Sequence, residues 1–216
     1  MQRIDTVQPY AGGYIAHGIN DGGVKATVPL MEVRAGVQWP TGKYPGYYLI
    51  LGKKVEKTAD GHNPLLFLCE GEEAMPQKLY QKLTDDISKM RAIAVYADRG
   101  ADRSLGISGC YTDFFDYLGA RGLGVQLTPA PSANDMEYGA VLMREHFKQS
   151  TLELPTLKMT TIRAQIRQMT PDSDFTEYYA FHALRYLLAG FAKFQEAVVD
   201  WMMVKPQKVV NAAGWT

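Results

Sequence analysis

The first third of the chain alternates short apolar runs with turn residues, a pattern typical of antiparallel strands. Residues 14–19 form an apolar segment, and Asn20-Asp21-Gly22-Gly23 directly after it favours a tight hairpin turn. Residues 24–34 predict a longer strand, in which Pro29 indicates an edge position or a bulge. Two further apolar runs, at residues 47–51 and 65–69, predict two more strands. Together these segments predict an antiparallel meander.

After residue 70 the apolar positions change to helical spacing. Leu79, Leu83, Ile87 and Met90 predict a helix, and Pro76 lies near its start, where a proline is tolerated. Residues 92–97 form a continuous apolar run, which is typical of a strand buried on both faces.

The rest of the chain continues this alternation of helices and strands. A further short strand is predicted at residues 125–127. Helices are predicted at residues 111–118, 135–148, 157–169 and 175–199. Strands that alternate with helices indicate parallel pairing, so we expect a mixed sheet flanked by helices. The fold class is therefore α/β, in a single domain over residues 1–216 with its core at about 13–190, a helical C-terminal extension, and a tail at about 200–216.

Composition excludes several function classes. The 216 residues are 46% hydrophobic and 21% charged, which is the balance of a globular protein and excludes a disordered chain. Lysine and arginine together number 23, as do aspartate and glutamate, so there is no strong net basic charge to indicate nucleic-acid binding. Two cysteines and four scattered histidines argue against a disulfide scaffold and a structural zinc site. With no signal peptide and no apolar run of membrane length, a cytoplasmic location without membrane contact is expected.

Acidic residues follow several predicted elements, where ligands of α/β sheets bind. Asp98 ends the buried strand and is the strongest candidate for a catalytic metal ligand, although a strand-end aspartate can simply bond turn amides. Asp21 ends an earlier strand, but a hairpin turn favours aspartate regardless of function. Asp174 and Glu177 precede the last helix and resemble a capping pair. His182 is a further candidate ligand, though a packed histidine is commoner. Carboxylates that converge on two Mg²⁺ or Mn²⁺ ions are a common means of cutting phosphodiesters.

Basic residues could hold the phosphates of a nucleic acid. Lys53, Lys54, Arg99 and Arg103 are the candidates, and a solvated face is the simpler explanation. The sequence contains no Gly-rich nucleotide-binding motif and no G-x-S-x-G motif. A small-molecule α/β enzyme remains an alternative because of the Gly-rich loop at residues 100–109.

The order of elements is similar to the ribonuclease H-like fold, and three segments resemble the C-terminal nuclease domain of phage large terminase subunits. These segments are Gly18-Ile19-Asn20-Asp21-Gly22-Gly23, Ala94-Val95-Tyr96-Ala97-Asp98 and Tyr178-Tyr179-Ala180-Phe181-His182-Ala183-Leu184-Arg185-Tyr186. The resemblance implies a metal-dependent endonuclease of phage DNA packaging. Its metal would be Mg²⁺ or Mn²⁺, held in a two-metal site by Asp21 and Asp98 with Asp174 or Glu177.

The same resemblance implies double-stranded DNA as substrate and an ATPase and portal complex as partners. The sequence departs from the family pattern in three places: Asn20 aligns with the first aspartate, His182 stands where an aspartate is usual, and tyrosines replace the acidic pair before it. These departures favour a rival hypothesis, a non-catalytic module of the same fold that binds protein or nucleic acid in a phage-related complex.

Overall fold

A computed structural model describes residues 3–99, 109–130, 136–155, 160–169 and 177–192. Its strands are β1 (Arg3–Tyr10), β2 (Gly13–Ile19), β3 (Lys25–Gln38), β4 (Gly46–Lys54), β5 (Leu65–Glu73), β6 (Ala94–Ala97), β7 (Gln126–Pro129) and β8 (Leu152–Glu153). Its helices are α1 (Pro76–Met90), α2 (Cys110–Ala120), α3 (Met136–Lys148), α4 (Thr161–Gln168) and α5 (Tyr179–Phe191).

All of the described strands join one mixed sheet, as the sequence predicts. Strands β1 to β5 pair antiparallel in chain order, and β8 adds to β5 in parallel. Strand β6 pairs in parallel with β3, and β7 pairs in parallel with β6. Because β6 lies between β3 and β7 and is buried apart from Tyr96, its continuous apolar run is explained.

The long strand β3 organises the sheet. Its first half pairs with β2, and its second half pairs with β4 on one side and β6 on the other. The register shifts between Leu30 and Glu32, next to Pro29, which agrees with the predicted bulge. The meander beside the parallel strands is therefore β3-β4-β5, whereas β1 and β2 form an additional hairpin.

Each face of the sheet carries its own hydrophobic core. On β4, Tyr48 and Ile50 face a cluster that includes α1 and α2, while Tyr47, Leu49 and Leu51 face a cluster that includes α5. All five side chains are almost completely buried, as a strand with helices on both faces requires.

Helix α5 packs closely on β3. A Cβ atom at Gly36 would lie 2.2 Å from the Ala183 carbonyl oxygen, so only glycine permits this approach. Arg34 fixes the end of the same helix by donating to the Gly190 carbonyl oxygen. Its guanidinium also bonds Glu32 and the Tyr96 hydroxyl.

Helix boundaries agree with the sequence where the apolar period is strong. The helix expected around Leu79 to Met90 is α1, and those expected at 111–118 and 135–148 are α2 and α3. The expected helix at 157–169 is described as α4 and that at 175–199 as α5, both shorter, with part of each prediction outside the described residues. The predicted tail at 200–216 also lies outside them. Nowhere in the described residues is there a helix long and apolar enough to cross a bilayer.

Candidate nucleic-acid cleft at the joined strand ends

Two strand ends meet at the edge of the sheet where the candidate site lies. Val37 of β3 pairs with Ala97 of β6, so Gln38 and Asp98 are the next residues of two neighbouring parallel strands. The indole Nε1 of Trp39 donates a 2.9 Å hydrogen bond to the Asp98 carbonyl oxygen and fastens the two ends together. Gln38 and Asp98 therefore occupy the carboxyl edge of the sheet, where α/β proteins bind their ligands.

A cleft of about 260 Å³ opens at this edge, and we call it the sheet-edge cleft. Its walls come from the ends of β3 and β6, the loop before β4, and one face of α5. It is lined by Gln38, Trp39, Thr41, Tyr44, Pro45, Asp98, Tyr179, His182, Arg185 and Tyr186.

Helix α5 contributes a network of polar side chains to the cleft. His182, Arg185 and Tyr186 share a face because they are three and four residues apart. The Nε of Arg185 donates to His182 Nδ1 at 3.1 Å, and a terminal nitrogen of Arg185 donates to the Tyr186 hydroxyl at 3.3 Å. The Tyr186 hydroxyl donates in turn to Gln38 Oε1 at 3.2 Å. The network thus joins the helix to the end of β3.

Arg185 is a buried positive charge beside this cleft. It is only 2% exposed, and Gly139 of α3 covers it so closely that a Cβ there would lie 2.8 Å from Arg185 Cβ. A guanidinium remains protonated even when it is buried. Burial raises the pKa of Tyr186 to about 12. The positive charge of Arg185 lowers this pKa, and the negative charge of Asp98 raises it. Asp98 and Arg185 therefore both act on the Tyr186 hydroxyl, with opposite charges.

The rim of the cleft carries tyrosines held by carboxylates. The Tyr44 hydroxyl donates to Glu177 at 3.0 Å, and Lys43 pairs with the same carboxylate at 3.4 Å. The Tyr179 hydroxyl donates to Glu72 at 3.1 Å. Burial, followed by the nearby Glu72 charge, raises the pKa of Tyr179 to about 12.

Asp21 lies far from this cleft. It is exposed in the turn between β2 and β3, where Asn20 Oδ1 accepts from the backbone amides of Gly22 and Val24 at 3.0 Å each. Because β3 has 14 residues, the turn before it is separated from the cleft after it by roughly 40 Å of strand. The structure does not bring Asp21 and Asp98 together, so they cannot share a two-metal site. The pairing of β3 with β6 places Gln38, and not Asp21, beside Asp98.

The remaining predicted metal ligands have mixed outcomes. His182 lines the cleft, and Glu177 lies at its rim, bonded to Tyr44. Asp174 lies outside the described residues, and its role stays a prediction.

The predicted phosphate-holding residues do not gather at the cleft. Lys53 pairs with Glu32 at 3.7 Å and Lys54 with Glu153 at 2.9 Å, near the end of β4 that is remote from the cleft. Arg99 follows Asp98 directly, and its guanidinium lies 5.7 Å from the centre of the Tyr111 ring. Arg103 lies outside the described residues.

The cleft, as far as it is described, does not fit a pair of divalent cations. Two-metal sites need several carboxylate oxygens around ions roughly 4 Å apart. Among the described lining residues only Asp98 supplies a carboxylate, and the buried Arg185 charge would repel a cation. Gln38 offers a neutral amide, and His182 Nδ1 accepts from Arg185. The described ranges also hold no group of three or more histidine, cysteine or acidic residues suited to a metal ion.

Sequence reasoning missed the residues that connect the cleft. Gln38 lies outside the strand predicted at residues 24–34, because β3 continues for four residues beyond that predicted end. Arg185 and Tyr186 carry a usable signal, since three polar positions at helical spacing interrupt an otherwise apolar helix. Tyr179 was noted only as part of the family resemblance.

Comparison with known proteins identifies the fold. No protein-family model matches the sequence, and no curated protein matches it significantly. Among solved structures, the chain is similar to the large terminase nuclease domain of bacteriophage SPP1 with bound Mn, with a TM-score of 0.51 and 12% identity over 72% of this chain and 84% of that one. It is also similar to the large terminase nuclease of thermophilic phage G20c with bound magnesium. That match has a TM-score of 0.51 and 11% identity, and it covers 87% of this chain and 92% of the other. The mixed sheet and its flanking helices are the ribonuclease H-like fold of terminase nuclease domains.

Proposed function

We propose that this chain is a ribonuclease H-like module that binds DNA at the sheet-edge cleft without cutting it. The observation that supports the proposal is the make-up of the joined strand ends. Gln38 and Asp98 lie side by side there, and the helix that closes the cleft supplies His182 and a buried arginine. A single carboxylate beside a buried cation is poorly suited to metal-assisted hydrolysis, and the neighbouring polar groups can bind DNA without a metal ion.

The experiment is an incubation of supercoiled plasmid with the full chain in Mn²⁺, Mg²⁺ or EDTA. We expect the plasmid to stay supercoiled in all three conditions. We also expect the protein to retard the plasmid on a native gel, to the same extent in EDTA as with metal, because the proposed contacts do not include a metal ion. Retardation should weaken as salt rises, since phosphate contacts release counterions.

Two results would contradict this proposal. Nicking that requires Mn²⁺ or Mg²⁺ and disappears in Asp98→Asn, but persists in the matched variant Asp21→Asn, would show catalysis at the cleft. Absence of any retardation at low salt would refute DNA binding.

A metal-dependent endonuclease is the second candidate, and the position of Asp98 favours it. Asp98 ends a parallel strand at the ligand edge, and the two similar structures are nucleases with bound Mn or magnesium. This candidate needs further carboxylates at the cleft, from Glu177 at the rim or from Asp174. With Mg²⁺ or Mn²⁺ bound, the centre would activate water and neutralise the leaving oxygen.

The similar structures also suggest a setting. Both are parts of large terminases, so we propose that a phage packaging complex, with its ATPase and portal, is where this chain meets double-stranded DNA. Co-purification of the tagged chain with a packaging ATPase would support this setting.

A further inference from the structure

Two tyrosines form an aromatic surface at the mouth of the sheet-edge cleft. Tyr44 comes from the loop before β4, and Tyr179 comes from the first turn of α5. Their ring centres are 6.4 Å apart, and their planes are tilted by 30° to each other. Tyr47 lies behind them, with its ring centre 6.0 Å from that of Tyr179.

Both rings are held in place by their hydroxyl groups. The Tyr44 hydroxyl donates to Glu177, and the Tyr179 hydroxyl donates to Glu72. A ring whose hydroxyl is bonded in this way loses little further freedom when a flat ligand stacks on it. Both side chains remain half-buried, whereas Tyr47 and Tyr48 are at most 1% exposed and cannot accept a ligand.

The charges around the two rings select the part of a nucleic acid that can approach. Glu72 and Glu177 border the rings, and a phosphate placed there would be repelled. A neutral base has no such penalty. Lys43 lies 4.8 Å from the centre of the Tyr44 ring, and its side chain is 71% exposed, so it can swing towards a neighbouring phosphate when a base covers the ring.

We propose that Tyr44 and Tyr179 stack an unpaired base, so that the cleft takes a single-stranded or locally opened stretch of DNA. The inference rests on the proposed DNA binding and names the form of DNA that is bound. In an intact duplex each base is covered by its neighbours and must be unstacked before it can reach a protein ring. The cleft volume of about 260 Å³ lies below the usual range for drug-sized ligands and suits one aromatic ring system.

Fluorescence anisotropy with three labelled oligonucleotides tests the proposal. They are a single strand, the same strand with one central abasic site, and the blunt duplex. Aromatic stacking of one base changes affinity by about 5- to 150-fold. We therefore expect the single strand to bind at least about fivefold more tightly than the duplex, and the abasic strand to lose part of that advantage.

Matched variants assign the effect to the ring. Tyr44→Ala should weaken single-strand binding by about fivefold or more, while Tyr44→Phe, which keeps the ring, should stay within about threefold of the wild type. Tyr10→Ala is the control, since Tyr10 is a 62% exposed tyrosine on the N-terminal hairpin. Thermal unfolding verifies that each variant is folded. If Tyr44→Ala does not fold, 2-aminopurine in the single strand provides the readout, because stacking on a wild-type tyrosine quenches its fluorescence.

The outcomes separate this inference from the proposed function. Equal binding of single strand and duplex, with Tyr44→Ala indistinguishable from Tyr10→Ala, overturns base stacking and leaves DNA binding intact. Unchanged 2-aminopurine fluorescence in a complex that anisotropy detects also overturns it. Failure of the wild type to bind any of the three oligonucleotides overturns the proposed function itself.

Discussion

Replacement of Glu70 should destabilise the fold, because this side chain holds the N-terminus of α4. Glu70 Oε1 accepts from the backbone amide of Thr161 at 2.9 Å, and Oε2 accepts from that of Ile162 at 3.4 Å. Its carboxylate therefore lies at the N-terminus of α4, where negative charge is stabilising. The fully buried Tyr47 donates its hydroxyl to the same carboxylate at 2.5 Å. Burial and this neighbouring charge raise the pKa of Tyr47.

The magnitude follows from these contacts. A hydrogen bond to a charged group contributes about 1.5–3 kcal/mol, and a buried hydroxyl left without a partner costs about 1–3 kcal/mol. The contacts share one carboxylate and are not additive, so we expect Glu70→Ala to cost about 3–4 kcal/mol. Glu70→Gln keeps an acceptor oxygen but loses the charge at α4, so we expect about 1–2 kcal/mol. For a chain of this length the alanine variant should lower Tm by roughly 6–15 °C.

Thermal unfolding at pH 7, followed by circular dichroism, measures both variants. Glu73→Gln is the matched control, because Glu73 pairs with Lys82 at 2.5 Å and the Lys82 side chain is 52% exposed. Such a surface pair contributes little to stability. If Glu70→Ala unfolds within about 1 kcal/mol of Glu73→Gln, the carboxylate does not hold α4 and the reasoning is refuted. If either Glu70 variant abolishes DNA retardation while its Tm is unchanged, Glu70 belongs to the binding site instead.

Three further predictions concern packing and pH. Gly36→Ala should lower the free energy of unfolding, measured by chemical denaturation, by at least about 2 kcal/mol, because the new Cβ would lie 2.2 Å from the Ala183 carbonyl oxygen. A variant as stable as the wild type would mean that α5 does not pack closely on β3. Burial, aided by the charge of His62, lowers the pKa of His146 to about 4, so the folded state favours the neutral ring. About 3 kcal/mol of stability should therefore be lost as pH falls from about 6.5 to 4. His146→Gln should remove that part of the acid sensitivity, whereas His62→Gln should leave most of it, because burial is the larger cause. Burial raises the pKa of Tyr186 to about 12, so the folded state favours the protonated hydroxyl. The resulting stabilisation is complete below pH 10 and is lost as pH rises towards 12. Absorbance at 295 nm should show fewer tyrosines ionised at pH 11 in the folded chain than in urea.

Local patterns predicted the elements whose periods are strong. Helix α1 presents Leu79, Leu83 and Ile87 on one face, and these are the residues that the structure buries. Strand β6 was recognisable because a parallel strand between two others has no polar face. In contrast, β1 has an irregular burial pattern and β8 has only two residues, so neither has a period to detect.

The candidate site was predictable only in part, because it depends on which strands are neighbours. Asp98 was recognised from its own strand, since a strand end is a local feature. Its partner was misassigned. Asp21 lies in the turn before β3, and Gln38 is the last residue of β3. Only the pairing of β3 with β6 shows that Gln38 adjoins Asp98. The tyrosine pair at the cleft mouth brings together residues 44 and 179, which no local window contains.

The charge at the joined strand ends links the fold to the proposed function. Three carboxylates within a few ångströms repel one another strongly and would need divalent cations to stay ionised together. Here the strand ends and α5 offer one carboxylate, one amide and one buried guanidinium, from Asp98, Gln38 and Arg185. Asp98 and Arg185 supply one negative and one positive charge, so the described part of the cleft lacks the excess of carboxylates that a divalent cation would neutralise. Because these opposite charges balance without a metal ion, the cleft can admit a flat, neutral base. The same neutrality explains why DNA binding is expected to be insensitive to EDTA, whereas a metal-dependent nuclease would respond to it.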